Sequence, residues 1–146
     1  MKSETKMIIN ELLVEVFNHI LSIQQEHLRQ RGVRLSMNEV HVLEAVQKSS
    51  EPTMSKVAAR LRVTVGTLTT AVSRLVEKGY IERTSNAEDK RKVYLNLTDK
   101  ALNVLKIHEE FHDDMIDAAI DDLNMEENPM LVESLKNLRD YFKNKY

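Results

Sequence analysis

The run KIHEEFHDDM, Lys106 to Met115, sets His108, Glu109, Glu110, Phe111 and His112 in the order H-E-x-x-H. On a helix that spacing puts two imidazoles one turn apart on one face, where they can share a zinc ion while the glutamate works on a metal-bound water. A peptidase also needs a third ligand and an open cleft. No His follows His112, and the helix that would carry the pair is wanted for apolar packing. So short a pattern also arises by chance. Other catalytic constellations are missing too. The chain has no Cys, which removes thiolate nucleophiles, disulfides and Cys-ligated metals. It has no Gly-rich phosphate loop and no carboxylate pair in a defined cleft. We expect neither an enzyme nor a cofactor.

The elements around this run follow from its periodicities. Apolar residues from Ile8 to Leu28 recur every three to four positions, so a first long helix reaches about Arg29 and stops before Gly32. Ser36 stands three residues before Glu39, a capping box that opens a second helix ending near Ser49. Thr53 opens a short helix, Arg62-Val63-Thr64 serves as a turn, and Thr64 caps another helix that Gly79 ends. The period then drops to two over Tyr80–Thr84 and Lys92–Leu97, with the polar loop SNAEDKR between them. Thr98 caps a third long helix. A last helix carries Leu131, Leu135, Leu138 and Phe142. Apolar stripes at both ends of so short a chain predict a partner, most economically a second copy.

Charge is distributed unevenly. The whole chain carries −2, but residues 1–52 hold 6 basic and 7 acidic side chains, 53–100 hold 10 and 5, and 101–146 hold 5 and 11. The basic segment is the two short helices and the hairpin, a winged helix-turn-helix whose second helix suits the DNA major groove. The exposed side of that helix offers Thr64, Gly66, Thr67, Thr69, Thr70, Ser73 and Arg74. Small residues permit close approach, threonine presents a hydroxyl and a methyl, and arginine bridges guanine or phosphate. Asp89, Lys90, Arg91 and Lys92 form the foot of the wing, placed to reach an adjacent minor groove. A winged helix that binds protein instead of DNA is the competing non-enzymatic reading. It has no need of so many cations on one face.

The stretch RLRVTVGTLTTAVSRLVEKGYIERTSNAEDKRKVYLNLTDKA resembles the core of MarR-family transcriptional regulators, with LVEKGYIER, the D-x-R wing of Asp89 and Arg91, and the L-x-LT entry of Leu95, Leu97 and Thr98. The family often has Gly where Ala101 stands, and Lys90 replaces a frequent Arg. The resemblance implies a mainly α fold with a small β-hairpin. It implies one domain over 1–146, in which a winged helix-turn-helix at 36–97 lies between dimerisation helices at 1–31 and 98–146. It further implies a cytoplasmic homodimer on double-stranded DNA, with no membrane partner.

Within the family, VTVGTLTTAVSRLVEKGYIER and the H-x-x-F-H run are similar to FabT-type repressors of fatty-acid synthesis genes. That implies long-chain acyl groups on acyl carrier protein as co-repressor, with Phe17, Ile20, Leu21, His41, Leu43, His108, Phe111, His112 and Met115 as candidate pocket residues. His41, His108 and His112 also resemble the ligand placement of zinc-responsive members. Ordinary hydrogen bonding of these histidines is the expectation, so no metal is expected.

Overall fold

The structure, a computed structural model, describes residues 3–146. It comprises α1 (Glu4–Asn10), a π-helical segment (Glu11–Val16), α2 (Phe17–Gln30), α3 (Met37–Lys48), α4 (Met54–Leu61), α5 (Val65–Glu77), β1 (Ile81–Ser85), β2 (Val93–Leu97), α6 (Asp99–Leu123), a 3-10 turn (Met125–Glu127) and α7 (Pro129–Lys145).

Helix starts follow local capping chemistry. The Glu39 N–H donates to Ser36 Oγ and the Ser36 N–H donates back to Glu39 Oε1, both at 3.2 Å, so the capping box of α3 is complete. Thr53 and Thr64 accept from Lys56 and Thr67 N–H in the same way. The turn between α4 and α5 is made by Arg62, which is left-handed at φ 57°. Gly79, at φ 83°, stops the run that follows α5. There the Tyr80 N–H donates to the Leu75 carbonyl at 2.8 Å, the wrap that frees the last carbonyls of a helix from water.

Where the periodicity predicts one uninterrupted first helix, the structure inserts the π-helical turn. The Phe17 N–H reaches back five residues to the Leu12 carbonyl. One extra residue in a turn re-phases the apolar stripe, so residues before and after it face different directions.

The wing is an antiparallel pair, β1 with β2, in the register Ile81 to Leu97 through Ser85 to Val93. Both strands start one residue later than the sequence suggests, and β1 also runs one residue further, to Ser85. Leu95 is buried on the inner face, with Val93 and Leu97 half-buried beside it. The Leu95 N–H also donates to the Pro52 carbonyl at 2.9 Å, which ties β2 to the entry of α4.

The structure divides into two compact units, the first ending at His108 and the second spanning Glu109–Tyr146. The first holds a single core in which Leu28, Val40, Leu43, Val57, Val72 and Leu75 are completely inaccessible. The second has no core: no residue from 109 to 146 is buried. Its apolar side chains, Ile116, Leu123, Leu131, Leu135 and Phe142 among them, remain exposed. Two amphipathic helices without a third element cannot enclose an interior, which is why this segment separates. Among the described residues, no helix is long and apolar enough to cross a membrane.

Candidate nucleic-acid interface

The outer face of α5 is built from hydroxyls that are already oriented. Thr64 Oγ1 accepts from the Thr67 N–H at 3.1 Å and donates to Thr67 Oγ1 at 3.0 Å. The Thr67 hydroxyl therefore keeps its own proton for an outside acceptor. Thr69 donates to the Val65 carbonyl at 2.8 Å, which leaves its lone pairs and methyl outward. Thr70 approaches the Gly66 carbonyl at 3.4 Å. Such back-bonding fixes rotamers that a β-branched side chain holds stiffly anyway. The buried face, Leu68, Val72 and Leu75, anchors the helix in the core. Arg74 points from the exposed side, and among the described residues neither Arg74 nor Lys90 is held in an ion pair.

Ser73 has a different engagement. Its Oγ accepts from Arg83 Nη2 at 2.9 Å, a bond that ties α5 to the first strand of the wing. Arg83 escaped the sequence reading, although it stands in the basic segment directly after α5. Its place in the KGYIER run that joins α5 to the wing is the available signal. At the wing's foot, the Arg91 N–H donates to Asp89 Oδ1 at 3.0 Å, and the Arg91 side chain, 94% exposed, touches the same oxygen at 3.4 Å. Asp89 thus shapes the turn through the backbone. The guanidinium stays in solvent.

A groove of about 580 Å³ runs between α3 and α5, lined by Ser36, Asn38, His41, Thr67, Thr70 and Arg74 among others. His41 therefore faces the α5 side of the core. The other candidate pocket residues differ in burial. Leu43 is buried within the core, Leu21 packs against it, Ile20 is half-exposed and Phe17 is 54% exposed. Phe111, His112 and Met115 belong to the second unit and are half-exposed.

His108 is 3% exposed, and its Nε2 lies 2.7 Å from Glu44 Oε1, which joins α6 to α3. Among the described residues no three His, Asp or Glu side chains are grouped to hold a metal ion. Of the three histidines that resemble a zinc set, His108 lies against the Glu44 carboxylate and His41 lines the groove beside α5. The hydrogen bond with His108 holds the Glu44 carboxyl below its ordinary 4.5, against the opposing effect of burial, with Lys48 and His41 adding to it. A folded-state value below the unfolded one means that this contribution to stability is complete above about pH 4.5 and is lost as pH falls through the lowered value. Urea unfolding of Glu44→Gln should accordingly show a flatter loss of stability than the wild-type protein on the acid side of pH 4.5. Equal slopes would mean that the pair contributes nothing.

Comparison with known proteins follows the same outline. The model of the MarR family matches residues 35–93, the span from the start of α3 to the start of β2. The transcriptional regulator AdcR of Streptococcus pneumoniae serotype 2 is 31% identical over 105 residues, 68% of this chain and 69% of that protein. YhjH of Bacillus subtilis, described as an HTH-type transcriptional regulator, is 27% identical over 79 residues, and the match spans only 45% of its length. Among solved structures, Streptococcus pneumoniae FabT in complex with DNA superposes with a TM-score of 0.84 at 35% identity, covering 97% of this chain and 99% of FabT. With its helix-turn-helix, two-stranded wing and long terminal helices, the chain belongs to the MarR family of winged helix-turn-helix transcriptional regulators, which are not enzymes.

Proposed function

We propose that the protein is a homodimeric, sequence-specific repressor whose operator affinity is set by a ligand, and that its targets are fatty-acid synthesis genes. Long-chain acyl groups on acyl carrier protein would act as co-repressor. The observation that carries the DNA half is the exposed face of α5, where Thr67 and Thr69 hold fixed hydroxyls beside Arg74, next to a wing whose Arg91 side chain is almost wholly exposed. Likeness to FabT bound to DNA supports it. The acyl half rests on the resemblance of VTVGTLTTAVSRLVEKGYIER to FabT-type repressors. Two α5 helices related by a two-fold axis would read half-sites about one helical turn apart.

Selection of bound sequences from random duplexes, repeated with loaded and unloaded carrier protein, tests both halves. A pseudo-palindrome should emerge, and only the loaded carrier should tighten binding. Indifference to every duplex at moderate salt would remove the DNA reading, whereas an equal effect of both carriers would remove the acyl one. Arg91→Ala should weaken binding to all sequences alike and reduce the slope of log affinity against log salt by about one, the signature of a lost phosphate contact. An unchanged slope would take Arg91 off the DNA.

A further inference from the structure

A route of polar contacts crosses the first unit from α2 to the far end of α5. It begins with Gln25, a half-buried side chain on α2. Its Nε2 donates to the Leu35 carbonyl at 2.6 Å, and its Oε1 accepts from the Met37 N–H at 3.0 Å. Both halves of one amide thus clasp the backbone on either side of Ser36. Ser36 is the N-cap of α3 and shares its capping box with Glu39. Glu39 does not end the route. Its carboxylate also accepts from Lys78 Nζ at 2.9 and 3.2 Å, and the same ammonium lies 3.4 Å from the Arg34 carbonyl. Burial works against ionising Glu39, yet the Lys78 ammonium and the Ser36 N–H outweigh it and hold the carboxyl below its usual range. Lys78 is the C-cap of α5, and its own carbonyl accepts from Lys100 Nζ on α6 at 2.9 Å.

We infer that Gln25 is a positioning residue for DNA recognition: it fixes the start of α3 and, through Glu39 and Lys78, the C-terminal end of α5. The inference rests on α5 being the helix that meets DNA, as proposed above. The plainer role for Gln25 is a staple on the α2–α3 loop alone. Three features argue for more. The clasp is bidentate and holds the residues flanking the cap itself. The next link, Glu39, is shared between the cap and a residue 39 positions away in sequence. The last link falls on the end of α5 opposite Thr64 and Gly66, where a small tilt is magnified along the helix. A side chain that only closed a loop would have no reason to lead there.

Hydrogen exchange and operator binding together decide the matter. Gln25→Met keeps the length and apolar stem of the side chain but can neither donate to Leu35 nor accept well from Met37. In the full-length protein it should speed exchange of the amides at Lys78 and Tyr80 by at least tenfold, and Lys78→Met should do the same. On duplexes whose half-site spacing is varied by single base pairs, both variants should lose several-fold of the preference for the best spacing, with the salt slope unchanged. If Gln25→Met does not fold, Gln25→Glu retains the acceptor for Met37 and loses the donor to Leu35, and should give the same pattern at smaller size. Faster exchange confined to residues 33–40, with the spacing preference intact, would overturn the inference and leave Gln25 a loop staple. A wild-type protein that binds no duplex would overturn the DNA reading instead, and the exchange at Lys78 and Tyr80 would still report on the route.

Discussion

Replacing Leu12 and Val16 together by lysine should yield a monomer in sedimentation and lower operator affinity by about a hundredfold or more. The N-terminal helical run carries Met7, Ile8, Ile9, Leu12, Leu13, Val14, Val16 and Phe17, every one of them exposed within a single chain. So broad an apolar face on a helix belongs in an interior. The π-helical turn over Glu11–Val16 spreads these residues further around the axis, so covering them takes more than one narrow seam. Each buried Leu or Val contributes roughly 1.5–3 kcal/mol, and a lysine in its place adds the cost of desolvating a charge. Two half-sites bound by one linked pair of helices gain about 10²–10⁴ over a single contact, and a monomer forfeits that gain. The winged core should survive, because Leu28, Val40, Leu43 and Val72 enclose it without help from the first turns. Circular dichroism of the variant supplies that control. A monomeric variant with undiminished operator affinity would dismantle the dimeric reading.

What could be read from the sequence was mostly what acts within four residues. Ser36, Thr53 and Thr64 cap their helices because hydroxyl and N–H are neighbours in the chain, and Gly79 stops the run after α5 for reasons confined to its own backbone. The hairpin followed from alternation in Val93, Leu95 and Leu97. The Asp89 contact with the Arg91 N–H is likewise local. Contacts made across the fold left no such trace. Nothing near Ser73 announces Arg83, nothing near Glu39 announces Lys78, and Gln25 is one glutamine among several until the loop folds over it. The π-helical turn was illegible for another reason: residues of good helical period also fit a run with one extra residue. For the candidate pocket residues, type predicts burial and not which neighbours a side chain meets. His108 illustrates this. Ordinary hydrogen bonding is the expectation for it, but nothing in the sequence names Glu44, which lies on a helix more than sixty positions earlier.

Gly66→Ala should raise the melting temperature and, at the same time, weaken specific DNA binding by about tenfold or more. Gly66 sits in the first turn of α5 with ordinary helical geometry, not the left-handed backbone that glycine uniquely tolerates. A Cβ added there meets only Thr64 Oγ1, at 3.9 Å, an ordinary van der Waals contact. Nothing in the fold therefore calls for glycine, and glycine in a helix costs roughly 0.5–1 kcal/mol relative to alanine. The isolated protein would be more stable by up to that amount, or about 2–4 °C for a chain of this size. What the missing methyl group does permit is approach by something outside the fold, and base edges between Thr67 and Thr70 are the surface that would use it. Gly79 provides the contrast. Its φ of 83° makes any side chain strained, so Gly79→Ala should lower the melting temperature and leave sequence preference unchanged. Opposite movements of stability and affinity at Gly66 separate a residue kept for a partner from one kept for the chain. If Gly66→Ala bound its operator as the wild-type protein does, α5 would not enter the groove closely at its N-terminal turn, and recognition would have to pass to Arg74 and the wing.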